Sequence, residues 1–404
     1  MRRGGLAAAS GSYRTVYTPR PMTDEARLLA LRSEFPTLAK KTHLISHSLG
    51  AMPRRARERV GAFLDQWEND SIEAWSRHWL PEVESVGDLI AQVIGVEAGS
   101  VVVNQNVSTV QAMVASCFDF AAPRNKVVYT DMNFSTVDYV WQEQRRRGAD
   151  VVVVKSDGIH APMQELLDAI DERTLLVPVS HVLFRSSGVK DVRAIVQKAH
   201  AVGALVLLDV YQSAGTIPLA LAEWGVDMAC GGSVKWACGG PGCAYLYVSP
   251  KLRGSLSPAS TGWFGHAKPF AFEPGPIRYA DDRWRLVGGT PAIPALYSAR
   301  SGWELILEAG VENIRKKSLR QTTLLRELVR ARGFKVNTPE KDDERGGTIC
   351  FDFDGAEAVS KALLARDMLH DYRPRCGIRA SPHFYTTDEE LARFVGAIDE
   401  IRKS

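Results

Sequence analysis

Four short runs of apolar, mostly β-branched residues set the frame for this chain: KVVYT at 126–130, DVVVVK at 150–155, TLLVPVS at 174–180 and GALVLLDV at 203–210. Runs of this length without polar alternation read as strands covered on both faces. Between the last two lies KDVRAIVQKAHAVGA, where Asp191 is placed to cap, apolar residues recur at helical spacing and Gly203 ends the helix. Strand, helix, strand at this spacing is the unit of a parallel sheet, so the chain is expected to be α/β up to about residue 295.

Beyond that point the pattern changes. The segment ENIRKKSLRQTTLLRELVRARG predicts a long amphipathic helix closed by Gly333, GTICFDFDG alternates like a strand with one wet face, and DEELARFVGAIDEIRK predicts a terminal helix with an acidic first turn. The expected organisation is an N-terminal arm over 1–35, floppy at its start, a large domain over 36–295, and a smaller α+β domain over 296–404 joined by residues near the N-terminus.

Composition removes several function classes. With 404 residues, 45% of them hydrophobic and 24% charged, the chain can bury a large core. A net charge of +3 with interleaved signs excludes the basic stripe of a nucleic-acid binder, and the RRR at 145–147 reads as a solvated helix end. No apolar run approaches the roughly 20 residues that span a bilayer. The opening MRRGGLAAAS is too weakly apolar for a secretory signal. The six cysteines lack paired spacing, which argues against a disulfide framework or a metal site and for a reducing, cytoplasmic setting. Cys238 and Cys243, flanking a glycine-rich loop, read as small packing residues.

Ligands of open α/β sheets sit beyond the carboxyl ends of the strands. After SVVVNQ, Ser108 and Thr109 stand at an expected helix start, an arrangement suited to phosphate, although both residues also cap helices generally. Asp209 ends ALVLLD, where a carboxylate needs a cation or a strong donor. Lys235 follows 26 residues later in GGSVKWACGGPG, a loop stripped of bulk. Either residue alone would suit a salt bridge. Together they suit a Schiff-base cofactor with a protonated ring nitrogen, the glycines allowing close backbone approach.

The runs LDVYQSAG, GGSVKWACGGPG, TGWFGH at 261–266 and GGTPAIP at 288–294 resemble the class V aminotransferase family of pyridoxal phosphate enzymes, within fold type I. SLG at 48–50, NFSTVDY at 133–139 and SHVLFRSSGVKD at 180–191 resemble the kynureninase branch. The resemblance implies Lys235 as the Schiff-base lysine, Asp209 on the ring nitrogen, Phe134 against the ring face, and Ser108, Thr109 and Trp263 at the phosphate. It also implies a homodimer, because Thr290 would reach the phosphate from a second subunit. Arg379, in RCGIRASPHFYTTDEELARF, would take the substrate carboxylate, with Arg373 and Arg375 on the surface. His266 and Trp263 would line an aryl pocket, His266 being equally readable as a packed or phosphate-side histidine, and Ser48 belongs to the substrate side.

Three positions depart from the kynureninase pattern. Val234 stands where that branch has tyrosine, Gln212 where it has histidine, and Val137 where it has aspartate. Gln212 keeps a hydrogen-bonding role beside the cofactor, whereas Val234 has no proton to give. Kynureninase-like hydrolytic carbon–carbon cleavage is therefore expected beside three rivals: an aminotransferase, epimerase or β-lyase; a cysteine desulfurase using Cys350; and a non-enzymatic cofactor-bearing protein.

Overall fold

The computed structural model describes residues 24–403. Its larger sheet has seven strands: β1 (Val101–Asn104), β2 (Lys126–Thr130), β3 (Asp150–Val154), β4 (Thr174–Ser180), β5 (Leu205–Asp209), β6 (Met228–Gly232) and β7 (Ala244–Val248), in the order β1-β7-β6-β5-β4-β2-β3. All four expected runs are strands here. Only β7 runs against the others. That reversal has a consequence for the site. Strand β6 ends at the carboxyl edge, and because β7 starts there too, the whole loop 233–243 stays at that edge.

Helices cover both faces. Asp191 caps Val192–Ala201 by accepting the Ala194 N–H at 3.0 Å, and Gly203 takes a φ of +74° just past its end. The core is continuous from Val127 and Leu207 in the sheet to Trp303 and Ile306 on the helix Ile293–Ala309. This helix begins before residue 296 and packs wholly into the large core. The break comes at Gly310, from which the helix Val311–Arg330 departs.

The second layer is an antiparallel sheet of β8 (Lys335–Val336), β9 (Ile349–Asp352), β10 (Asp371–Arg373) and β11 (Gly377–Ala380), ordered β10-β11-β9-β8. The predicted helices Val311–Arg330 and Asp388–Lys403 cover it with Ala356–Ala365, burying Leu325, Ile349, Leu363, Phe394 and Ile398. Ile314, Lys317, Gln321, Leu325 and Val329 are buried at three- and four-residue steps, which is why the first of these helices lies along its sheet.

The N-terminal segment joins this domain. Thr42–His43 pairs in parallel with Met368–Leu369, and Leu44 enters the small core. The start of the expected floppy arm lies outside the described residues, but residues 24–35 are not floppy. Asp24–Ala30 is a helix, Leu28 and Phe35 are buried, and Arg32 pairs with Glu390 at 2.7 Å. Two apolar anchors and a buried carboxylate partner hold this stretch down. No helix among the described residues is long and apolar enough to cross a membrane, and no cluster of potential metal ligands occurs among them.

Candidate active site

The carboxyl ends of β4 and β5 and the 233–243 loop enclose a cavity of about 240 Å³. Lys235, Asp209, Ser108, Phe134 and Gln212 line it, so five residues singled out in the sequence converge; Tyr211, Phe184, Asn106 and Thr136 are also in its walls. Register explains part of this. Ser180 and Asp209 are partners across β4 and β5, and both end their strands at one level.

Glycine makes the lysine loop possible. A Cβ on Gly50 would land on the Lys235 carbonyl oxygen and within 2.8 Å of the Cys238 Cα, so the SLG segment can lie against the loop only without a side chain. The Gly50 N–H donates to the Val234 carbonyl at 2.8 Å, fixing that approach. On the other side, a Cβ on Gly239 would meet the Ala299 Cα at 2.7 Å.

The Lys235 ammonium lies 4.5 Å from the centre of the Tyr211 ring and 5.4 Å from that of Phe134. Burial pushes its pKa down to about 8, with Asp209 opposing. The Asp209 carboxylate is buried. Oδ1 accepts the Tyr211 N–H at 2.9 Å, and no residue described donates to Oδ2. Burial pushes this carboxyl up, against the Tyr211 N–H and the charges of Lys235 and Lys190.

Lys190 was not anticipated. It is buried near Asp209, donates to Thr130 Oγ1 at 3.1 Å, and is pushed down to about 7 by burial. In SHVLFRSSGVKD it stands between Val189 and Asp191 after a run of small and polar residues, a setting with no local sign of burial.

The phosphate-side expectations divide. The helix Val107–Ser116 starts at the carboxyl edge as expected, but its cap is Asn106, whose Oδ1 accepts the Thr109 N–H at 2.9 Å and the Thr109 hydroxyl at 3.1 Å. Ser108 faces the Lys235 cavity, its hydroxyl 3.1 Å from that of Thr136. Thr109 instead lines a neighbouring cavity of about 170 Å³, which it shares with Thr290. Within one chain, Trp263 and His266 also stand apart from Lys235. The segment carrying them folds on itself through the His266–Tyr279 bridge. The Trp263 ring packs on Phe272, while His266 lines a separate cavity of about 340 Å³ and accepts the Lys268 N–H at 3.0 Å through Nδ1.

Gln212 reaches the cavity with both ends of its amide engaged. Its Nε2 donates to the His47 carbonyl at 3.0 Å, and its Oε1 accepts the Trp236 indole N–H at 3.0 Å. Ser48 is partly buried in the turn beside His47, its N–H bonded to the Ile45 carbonyl at 2.9 Å. Val137 is wholly buried, as its apolar character requires.

Arg379 is buried on β11 close enough to Lys235 to depress the lysine's pKa. Its Nε and Nη2 donate to Asp371 at 2.7 and 2.5 Å, and its Nη1 donates to the Phe184 carbonyl at 2.7 Å. The side-on fork of the guanidinium is thus occupied by an internal carboxylate. Asp371, in DYRPR, was not singled out in the sequence. Cys350 is fully buried in β9 opposite Arg379, and all six cysteines are free thiols.

Residues 52–394 match the family Aminotransferase class-V. The chain is a member of the class V aminotransferase family. Among curated relatives, a kynureninase of Pseudomonas fluorescens is 32% identical, with 93% of this chain and 92% of that one aligned. A kynureninase of Geobacillus thermodenitrificans is 30% identical over 96% and 94%, and an uncharacterised aminotransferase of Bacillus subtilis 31% identical over 92% and 96%. Among solved structures, a cysteine desulfurase from Thermococcus onnurineus superposes with a TM-score of 0.83 at 19% identity, covering 93% of this chain and 98% of that one. At that identity the likeness carries the fold, which is fold type I, the architecture of this family's pyridoxal phosphate enzymes.

The site fits that cofactor. A carboxylate that lines the cavity with one oxygen undonated by the described residues suits a proton-bearing partner, which a pyridinium nitrogen supplies, and a lysine amine of lowered pKa stands within the same cavity.

Proposed function

We propose that the chain is a pyridoxal phosphate enzyme acting on an amino acid, and that it carries out kynureninase-like hydrolytic cleavage of a carbon–carbon bond. The products would be an anthranilate-type acid and L-alanine. The observation that carries the cofactor part of the reading is the pairing of Lys235 and the half-satisfied Asp209 in one cavity at the carboxyl edge of the sheet, and the kynureninase relatives at 30–32% identity support the cleavage part.

When bound, the cofactor withdraws electrons from the substrate Cα. The residues do the rest. Asp209 holds a proton on the ring nitrogen, its burial making the neutral pair preferable to a lone carboxylate. Lys235, with its amine near 8, takes and returns a proton at Cα close to neutral pH. Phe134 covers a ring face, and Ser108 with the N–H groups at its helix start holds the phosphate. Arg379 takes the substrate carboxylate through the donors that Asp371 and Phe184 leave free. Water added to the side-chain ketone then allows the bond between that carbon and Cβ to break.

The enzyme is read as a homodimer. Trp263, His266, Thr109 and Thr290 lie off the Lys235 cavity within one chain, and Phe270 and Phe272 beside them are exposed aromatics, as a surface awaiting a second copy would be. A cytoplasmic site fits the six free thiols. A second reading, aminotransferase, epimerase or β-lyase, draws on Val234, which has no proton to give, and on Gln212, an amide that hydrogen-bonds but is neither acid nor base. Desulfurase is disfavoured, since Cys350 sits immobile inside a strand.

Incubation of the purified protein with L-kynurenine, 3-hydroxykynurenine, L-alanine and L-cysteine separately tests this. Anthranilate or its hydroxylated form with L-alanine is the expected product. A keto acid, a racemised amino acid or sulfide instead would overturn the cleavage reading in favour of the corresponding rival, and no change in the cofactor spectrum with any of them would overturn the enzymatic one.

A further inference from the structure

Arg379 and Asp371 face each other across β11 and β10, and Asp371 accepts two of the arginine's hydrogen bonds. The same Asp371 Oδ1 lies 3.1 Å from His47 Nε2, and His47 Nδ1 meets Ser381 Oγ at 2.5 Å. With its pKa lowered to about 4 by burial and by Arg379, His47 is neutral. A neutral imidazole has one N–H, and a carboxylate only accepts, so that proton sits on Nε2 toward Asp371 and Nδ1 accepts from Ser381. The His47 carbonyl in turn receives Gln212, whose other end holds Trp236, the residue after Lys235. Hydrogen bonds that meet at His47, some on its imidazole and one on its backbone carbonyl, therefore join the lysine loop of the large domain to the arginine of the small one.

The donor count gives this run a purpose. A guanidinium has five N–H groups. Three are engaged within the protein, leaving one on Nη1 and one on Nη2. We propose that Asp371 and His47 are positioning residues that hold Arg379 so that these two donors take the carboxylate of an amino acid, and that amino acids are thereby preferred to simple amines. With Asp371 offsetting its charge, Arg379 recognises by direction rather than by net charge, which a lysine could not imitate. The inference rests on the carboxylate role given to Arg379 above.

Spectral titration of the holoenzyme's cofactor band with L-alanine and with ethylamine separates carboxylate recognition from turnover, because both amines reach the same lysine and only one has a carboxylate. The parent should prefer L-alanine, and Arg379→Ala should lose the preference. Asp371→Asn and Asp371→Glu should lower the ratio of L-alanine to ethylamine affinity on the order of tenfold, any effect through Lys235 being common to both amines, and His47→Asn should lower it less. If Arg379→Ala loses the preference while the Asp371 variants that load cofactor keep the parent's, the positioning role is overturned and the carboxylate reading stands. If Arg379→Ala itself keeps the preference, both fall. Should neither Asp371 variant load cofactor, His47→Asn decides, and an unchanged ratio there overturns the proposal.

Discussion

Asp209 and Asp371 are both buried carboxylates whose charges act on Lys235, and they are provided for in opposite ways. Asp209 has a single N–H donor, and burial pushes its carboxyl up. At Asp371 burial pushes the same way, but hydrogen bonds from His47 and Arg379 overcome it and hold the carboxyl well below its usual range. One acid is complete within the protein and the other is not. A buried polar group without its partner is costly, so a fold that keeps one gains from whatever ligand completes it. The contrast thus separates a floor built for an incoming cation from a wall that holds its own.

The sharpest way to break this comparison is to ask whether Lys235 bonds the cofactor at all. Borohydride reduction of the holoenzyme followed by peptide mapping should place the label on Lys235 alone, and Lys235→Ala should abolish turnover. Label on Lys190, the other buried lysine near Asp209, would transfer the role to it.

Next in size is the paired substitution of the two acids. Asp209→Asn should cut turnover by about 10²- to 10³-fold, since a neutral amide cannot hold the ring proton. Without cofactor, the same variant should melt higher than the parent at neutral pH. A folded acid with a raised pKa contributes stability at low pH that is lost as pH rises through its folded value, and the amide removes that loss. Asp371 has the reverse sign: its stability is present above the ordinary carboxylate range and lost in acid, so Asp371→Asn should destabilise the apoprotein by about 3 kcal/mol, leaving Arg379 buried and short of its partner. Thermal melts of the three apoproteins check both signs, and equal shifts would erase the distinction.

The two acids also differ in how visible they were beforehand. Asp209 ends a wholly apolar strand, so hydrophobic pattern exposed it, and the glycines around Lys235 did the same for the lysine. Asp371 stands among arginines and a tyrosine in DYRPR, a stretch indistinguishable by composition from a solvated turn. Its meaning depends on β10 lying beside β11, a pairing that no local pattern encodes. Parallel strands, their helix and the terminal helices were legible because their burial repeats at a fixed period. The direction of β7, the Asn106 cap and the docking of residues 24–35 were not, being set by tertiary contacts. Trp263 and His266 were legible as motif residues, but a motif carries no information on which cavity its chain path will reach.

Substituting Arg379 probes the wall from the substrate side. Arg379→Ala should lower kcat/KM on the order of 10²-fold, with KM raised and kcat lowered together, because the carboxylate contact both binds and orients. Arg379→Lys should recover only part, as an ammonium lacks the planar fork that donates in parallel to Asp371 and a substrate carboxylate. Cofactor affinity should be unchanged in both. Parent-like kinetics, or loss of cofactor instead, would move the carboxylate role to Arg375.

The smallest effect is a pH profile, and it reads both acids through the lysine between them. Only the neutral amine attacks the cofactor's aldehyde, and with a pKa of about 8 the neutral fraction of Lys235 rises about tenfold from pH 7 to pH 9 and then levels. An unperturbed lysine would rise about a hundredfold over the same interval and keep rising. Stopped-flow reloading of the apoprotein, divided at each pH by the rate for a free N-acetylated lysine, isolates the protein's contribution. Asp209 is the larger of the two charges raising this pKa and Asp371 the smaller, so Asp209→Asn should move the levelling point to lower pH and Asp371→Asn should move it less. If Asp371→Asn produced the greater shift, the acid that is complete within the protein would be the one governing the lysine, and the division between floor and wall would be wrong.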